Sequence, residues 1–275
     1  MTLSAPDLLV VGGTGFLGRH LLAGAAGASA THFSSPAGDG SIDWHRCDLA
    51  DGGPGVEHLI LRLRPHAVIN AAYLQHGPDL DAVTTLAPAR MATACRRVGA
   101  RFVHVSTDVV FDGTTDRPYR ETDPVSPVHE YGRAKAASEA AVLTADPSAV
   151  VARTSLLWGD RDDPGPQVML TTRSDMSFYE DEYRNPISVV ALAAACRELA
   201  GRDDVTGLLH VAGADTVSRL EFAQRVCGLV GVDAGALKGS DRPDDPTRPG
   251  NCPLDSSRAR ELLDTPLTGI REFVS

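Results

Sequence analysis

The sequence predicts an α/β fold with a doubly wound parallel sheet. Three observations carry that expectation. Short apolar runs of about four or five residues alternate with longer stretches at helical spacing. The runs lack the in–out alternation of a sheet with one wet face, so they read as strands buried on both faces. The first run ends in glycines that lead straight into a helix, which is how a strand–helix–strand unit begins.

Taken in order, Leu8 to Val11 is the first strand, stopped by Gly12-Gly13-Thr14-Gly15. Phe16 to Gly27 reads as a helix with Phe16, Leu17, Leu21 and Leu22 on its packed face. Thr31 to Ser34 is the expected second strand, and Ser35 to Ser41 a turn-rich loop. Asp43 to Cys47 is the third strand, ended by Asp48-Leu49. Val56 to Leu63 is helical in spacing and is stopped by Pro65. Ala67 to Asn70 is the fourth strand. Leu80 to Val98 is a long Ala-rich helix in which Pro88 must kink the chain or occupy the first turn. Phe102 to Ser106 is the fifth strand, Asp112 to Val128 a loop marked by glycine and proline, Tyr131 to Leu143 a helix, and Val150 to Ala152 a strand.

Beyond Trp158 the pattern weakens. Gly159 to Pro166 is acidic and broken by proline and glycine, and reads as a mobile surface loop. Val189 to Ala200 and Leu220 to Val230 are expected helices, with a strand at Leu208 to Val211 between them; Gly239 to Pro253 is irregular. The expected organisation is a core over residues 1–157 and a smaller lobe over 158–275, with 187–212 returning to the core.

Composition removes several classes of function. The 275 residues carry 26 Lys+Arg against 36 Asp+Glu, a formal charge of −10, which opposes a nucleic-acid coat or an anionic membrane surface. No run approaches the ~18 apolar residues of a membrane span. Met1 to Asp7 lacks the basic then apolar pattern of a signal peptide, so none is expected. Five scattered cysteines without a C-x-x-C pair point to reduced thiols and a cytoplasmic location. No H-E-x-x-H pattern occurs, and no metal site is expected.

Two motifs carry chemistry. Gly12-Gly13-Thr14-Gly15-Phe16-Leu17-Gly18 is G-x-x-G-x-x-G between a strand and a helix, the context in which glycines let backbone approach a pyrophosphate. The end of the second strand has Ser34 and Ser35, and no acid until Asp39. An acid there would bind the adenosine ribose and favour NAD, so the lean is to NADP(H) over NAD(H). Arg19 either pairs with the 2′-phosphate or is a solvated helix residue. Asp48 either accepts from the adenine amino group or closes a turn. The second motif is Tyr131-Gly132-Arg133-Ala134-Lys135. Its i, i+4 spacing puts a phenol and an ammonium on one helix face, where the cation favours the phenolate. Tyr131 read alone could equally be a core aromatic. Ser106-Thr107-Asp108 at a strand's carboxyl end adds a hydroxyl suited to polarise a carbonyl.

These segments resemble the extended short-chain dehydrogenase/reductases, and within them the dTDP-4-dehydrorhamnose reductase group. The resemblance is carried by Val11 to Gly18, Val68 to Ala72, Val105 to Gly113, Tyr119 to Asp123, Tyr131 to Lys135, Arg153-Thr154-Ser155, His210 to Gly213 and Leu254 to Ala259, nearly the whole chain. It implies a Rossmann-like core with a small C-terminal substrate lobe and a catalytic set of Thr107, Tyr131 and Lys135. It implies that Ala71, Ala72 and Tyr73 line the cofactor groove and that Lys135 holds the nicotinamide ribose; the expected cofactor set also takes in Gly12, Thr14, Gly15, Phe16, Leu17, Gly18, Arg19, Asp48 and Leu49. It implies hydride transfer to the C4 carbonyl of a nucleotide-linked keto-sugar, with Tyr131 giving the proton. Asp108, Val109, Asn185 and Arg248 would face the substrate, Arg248 as a diphosphate partner or else as a solvated loop residue. The sequence leaves the oligomeric state open, a homodimer included.

Departures concern the substrate side. The group's tyrosine after Ser-Thr-Asp is Val109, its tryptophan after Arg-Thr-Ser is Leu156, and its Gly-x-Pro-Thr pattern survives only in part at Asn185-Pro186-Ile187-Ser188. Two other classes remain in view. One is a non-catalytic NAD(P)-binding regulatory subunit, like that of methionine adenosyltransferase. The other is an epimerase or dehydratase with resident NAD, against which the Ser-Thr-Asp and Leu254-Asp255-Ser256-Ser257-Arg258 segments weigh.

Overall fold

The computed structural model describes residues 7–25, 27–35, 38, 40–166 and 176–273. The chain forms two compact units. The first takes Met1–Ser106, Glu130–Ala152 and Ala193–Leu209; the second takes Thr107–His129, Arg153–Leu192 and His210–Ser275. The units therefore interleave along the chain; the expectation was a core over 1–157 and a lobe over 158–275, with 187–212 returning to the core. Thr107–His129 stands with the second unit, and the return to the first runs over 193–209.

The main sheet has seven strands: β1 (Leu8–Val11), β2 (Ser29–His32), β3 (Asp43–Arg46), β4 (Ala67–Asn70), β5 (Arg101–Thr107), β6 (Val150–Thr154) and β7 (Gly207–His210). Their spatial order is β7-β6-β5-β4-β1-β2-β3, and the β1–β2, β1–β4, β2–β3 and β4–β5 pairs are parallel. Strand order reverses between β1 and β4, the switch point at which such sheets bind ligands. The helices are α1 (Phe16–Leu22), α2 (Pro54–Leu63), α3 (Ala87–Val98), α4 (Glu130–Ala145), α5 (Val189–Ala200) and α6 (Arg219–Val230). The core of the first unit gathers Leu9, Val11, Ile60, Val68, Met91, Phe102, Val142 and Val151, from strands and helices alike.

Three elements depart from expectation, each for a physical reason. β2 starts at Ser29, because its register pairs Ser29 with Leu9 and Ala30 with Val10. Small side chains hid that start. Thr31 is buried yet satisfied, since its Oγ1 accepts from Gly12 N at 3.0 Å and its carbonyl from Gly13 N at 2.9 Å. The first helix ends at Leu22, and the chain turns through Gly24 at φ 73°. The expected helix from Leu80 to Val98 is divided: Ala82–Leu86 forms a π-helical turn, and α3 follows with Pro88 in its first turn. A proline N–H is missing there, where an α-helix has no partner for it in any case.

In the second unit, short strand pairs join Leu157–Trp158 to Ile187–Ser188, Tyr183–Arg184 to Val217–Ser218, and Ser177–Tyr179 to Lys238–Ser240. Its core holds Trp158, Val217, Phe222, Val226 and Ile270, with Leu156 packed against it. The acidic loop after Trp158 is a closed turn. Asp160 Oδ1 accepts from the backbone N of Asp162 and Asp163, both at 2.9 Å, and Gly159 N donates to Pro164 O at 3.0 Å.

Phe102 is fully buried in the first unit's core. Phe102→Ala is expected to cost about 3–5 kcal/mol by removing contacts and leaving a cavity, read as a lowered midpoint in equilibrium urea unfolding.

Candidate active site

The glycine loop closes on the end of β4. Gly12 has φ +85°, a conformation that L side chains rarely adopt, and a Cβ there would lie 2.9 Å from Ala72 N. Gly18 sits under the loop, where a Cβ would lie 2.1 Å from Gly12 O. Gly15 N donates to Gly12 O at 3.1 Å, tightening the turn. No side chain caps the first turn of α1, and no acidic residue occupies it. Backbone without side chains, at the switch point of a parallel sheet, is a cradle for a dinucleotide pyrophosphate. Ala71 N is tied to Val11 O at 3.0 Å, so both loops hang from the paired ends of β1 and β4.

The end of β2 carries hydroxyls and no acid among the described residues. Phe33, Ser34 and Ser35 are exposed after β2, and Asp39 lies outside the described residues. Arg19 is exposed; its Nη1 donates to Thr14 O at 3.2 Å, and its guanidinium lies 5.9 Å from the Phe16 ring centre. Arg46, at the end of β3, stacks its guanidinium 5.2 Å over Phe33. Asp48 Oδ1 accepts from Ala50 N at 2.9 Å, the turn-closing role that was one of its two readings, and Leu49 is buried.

Tyr131 and Lys135 face the same way from α4. Lys135 is buried, and its Nζ donates to Val105 O at 2.7 Å. Burial pushes its pKa down to about 8, with the Glu139 carboxylate pulling the other way. Tyr73, half exposed after β4, lies 5.8 Å from the Tyr131 ring and 5.7 Å from the Lys135 ammonium. Phenol, ammonium and a second aromatic thus converge beside the glycine loop's partner strand. Tyr131 is half-buried, which suits a proton donor and not a core aromatic.

A buried polar chain supports this face. Ala72 N donates to Asn70 Oδ1 at 3.1 Å, Asn70 Nδ2 donates to His104 Nδ1 at 3.0 Å, and His104 Nε2 meets Ser138 Oγ on α4 at 3.0 Å. Burial first, and then the nearby Lys135 cation, hold the His104 pKa well below its usual value. The imidazole is therefore neutral, its Nε2 carrying the proton toward Ser138. Ser106 Oγ donates to Glu139 Oε1 at 2.6 Å.

The second unit holds the remaining candidates. Thr107 is half-buried; its hydroxyl donates to Asp108 Oδ1 at 3.2 Å and accepts from Val109 N at 3.4 Å. Asp108 is buried, takes a 2.6 Å bond from Ser155 Oγ, and lies 3.6 Å from Arg184 Nε. Burial raises its pKa, and Arg184, Ser155 and Thr107 oppose that rise. Arg184 also reaches Glu182 at 3.3 Å, and Glu182 in turn meets Arg219 at 3.9 Å and Arg248 at 2.8 Å. Arg248 stacks 4.5 Å over Tyr179. Among the described residues this cluster sets two carboxylates against three guanidiniums.

Asn185 departs from its expected role. Its Nδ2 lies 3.2 Å from each of Gly213 O, Asp215 O and Thr216 Oγ1, and its Oδ1 accepts from Leu254 N at 2.8 Å. The carboxamide is committed to clamping loops of its own unit, which leaves it a scaffold residue. Sequence reasoning also missed Glu139, Arg184, Glu182 and Arg219. The i, i+4 step from Lys135 to Glu139 was a readable signal; the arginine–carboxylate cluster joins distant segments and had none.

A family profile described as the RmlD substrate binding domain matches residues 6–275. The probable low-salt glycan biosynthesis reductase Agl14 of Haloferax volcanii is 32% identical, over 92% of this chain and 91% of that one. A dTDP-4-dehydrorhamnose reductase of Mycolicibacterium smegmatis is 33% identical, over 98% of this chain and 84% of its own. The crystal structure of a hypothetical dTDP-4-dehydrorhamnose reductase from Sulfolobus tokodaii superposes with a TM-score of 0.79 at 27% identity, covering 95% of this chain and 96% of its own. The same fold appears at 21% identity in a Bacillus anthracis structure holding NADP and at 20% in a Bordetella bronchiseptica structure holding NAD+.

Gly18→Ala forces a methyl group into Gly12 O. The variant is expected to bind NADPH at least about tenfold more weakly, a loss of about 1.4 kcal/mol, measured by nucleotide fluorescence. The loss should exceed any change in unfolding midpoint.

Proposed function

The chain belongs to the RmlD substrate binding domain family, and on that premise we propose that it is an NAD(P)H-dependent reductase of a nucleotide-linked 4-keto-sugar. The observation that carries the proposal is the buried Lys135 ammonium beside Tyr131 on α4, next to a glycine loop shaped for a dinucleotide. A bound nicotinamide supplies the hydride. The protein's own residues supply the rest of the chemistry. The Tyr131 hydroxyl gives its proton to the carbonyl oxygen as charge builds there. The Lys135 ammonium favours the phenolate left behind and holds the nicotinamide ribose. Thr107 polarises the carbonyl.

On the substrate side, Asp108 and Val109 are assigned to the sugar. Arg248, anchored through Nε to Glu182, is assigned to the diphosphate, which a planar guanidinium suits. Val109 and Leu156 stand where the group carries aromatics, and Leu156 packs into the core around Trp158. The favoured sugar is therefore expected to differ from dTDP-4-dehydrorhamnose in the face it presents. NADPH is the proposed reductant, because the β2 end offers Ser34, Ser35 and an Arg46 stacked over Phe33 in place of an acid, and Arg19 follows the glycine loop.

The deciding assay follows NADPH absorbance with a panel of nucleotide-linked 4-keto-sugars. Oxidation is expected with at least one of them, falling by about 10²-fold or more in Tyr131→Phe, the scale of a lost general acid. Tight cofactor binding without turnover on any substrate would instead mark a regulatory subunit. For the cofactor, Arg19→Ala is expected to raise the KM for NADPH about tenfold and leave that for NADH near its starting value. Equal effects on both would remove Arg19 from the 2′-phosphate.

A further inference from the structure

We propose that Glu139 is a positioning residue of this site: it keeps the Lys135 ammonium charged and, through Ser106, fixes α4 against β5. The inference rests on the assignment of Lys135 to the reductase site. Tyr131, Lys135 and Glu139 stand at i, i+4 and i+8, a single face of α4. Lys135 and Glu139 are each 3% exposed, a cation and a carboxylate buried one turn apart. Val105 and Ser106, neighbours on β5, receive them. The Lys135 Nζ donates to Val105 O at 2.7 Å, and Ser106 Oγ donates to Glu139 Oε1 at 2.6 Å. The next residue on that strand is Thr107. One pair of bonds therefore sets the rotation and height of the helix that carries Tyr131 against β5.

The hydroxyl–carboxylate distance lies in the charge-assisted range. A buried charge persists only when paired and hydrogen-bonded. The other titratable groups facing Lys135 are Tyr131 on its own helix, Tyr73 after β4 and His104 on β5. His104 is neutral, and a neutral phenol offers no counter-charge. Among the described residues packed there, Glu139 provides the negative charge. Without it, burial alone acts on the ammonium and drives it toward the neutral amine, which can no longer favour the phenolate.

The chain has two lysines, Lys135 and Lys238, so protein labelled at lysine 13Cε gives two titrating NMR signals, the exposed Lys238 serving as internal reference. In the wild type Lys135 is expected to titrate near 8. In Glu139→Gln, which keeps an acceptor for Ser106 and loses the charge, its midpoint should fall by about one pH unit or more. Lys238 should stay in place, and the alkaline limb of kcat/KM should move down by the same interval. Glu139→Asp, which restores the charge, should recover most of the shift. An unmoved Lys135 midpoint in Glu139→Gln overturns the proposal, whatever happens to stability. If Glu139→Gln does not fold, the wild-type titration decides, since a Lys135 midpoint below about 7 means that no carboxylate is holding the ammonium. The NMR reading needs no substrate. A Lys135 titration that behaves as expected, in a protein that oxidises no NADPH, would overturn the reductase assignment alone.

Discussion

The buried Lys135 ammonium is the constraint around which the first unit is arranged. A cation taken out of water must recover its solvation from fixed neighbours. Here the neighbours are the Val105 carbonyl, the Glu139 carboxylate and the face of Tyr73. Each belongs to a different kind of element: a sheet strand, the same helix one turn on, and the loop after β4. Meeting the demand of one ammonium therefore locks α4 to β5 and draws the β4 loop toward both. Tyr131 inherits its place from that lock, since it lies one turn before Lys135 on the same face. The chain from Ala72 through Asn70 and His104 to Ser138 makes a second, uncharged tie between the same elements.

The second unit solves a related problem with more charges. Asp108 and Glu182 are buried among Arg184, Arg219 and Arg248, so no acid there lacks a cation. Arg184 immediately precedes Asn185-Pro186-Ile187-Ser188, where the Gly-x-Pro-Thr pattern is only partly kept, and its guanidinium lies against Asp108. The cluster also gives the overall acidity of the chain a local exception, since it sets three guanidiniums against two carboxylates despite a net charge of −10.

Much of the site was legible before any coordinates. G-x-x-G-x-x-G and the Tyr131–Lys135 spacing are local patterns, and local patterns survive folding because their geometry is set within one turn or one loop. Ala67–Asn70 and Val189–Ala200 have the bounds expected of them. The first residues of β2 were not legible, since Ser29 and Ala30 are strand only because β1 pairs with them. Asn185 sits in a motif that suggested substrate contact, yet its amide is consumed by Gly213, Asp215, Thr216 and Leu254, none of them near it in sequence.

By itself, the sequence determined the fold class, the dinucleotide loop and the pairing of Tyr131 with Lys135. Apolar periodicity, glycine and i, i+4 spacing act over a few residues, so their consequences can be read without a partner. Tertiary structure alone decided which charges are buried and what compensates them. Glu139 on α4 finds Ser106 on β5, and Asp108 finds Arg184 some 76 residues further along. Compensation of a buried charge depends on distance in space, and only the packed sheet and its helices set that distance.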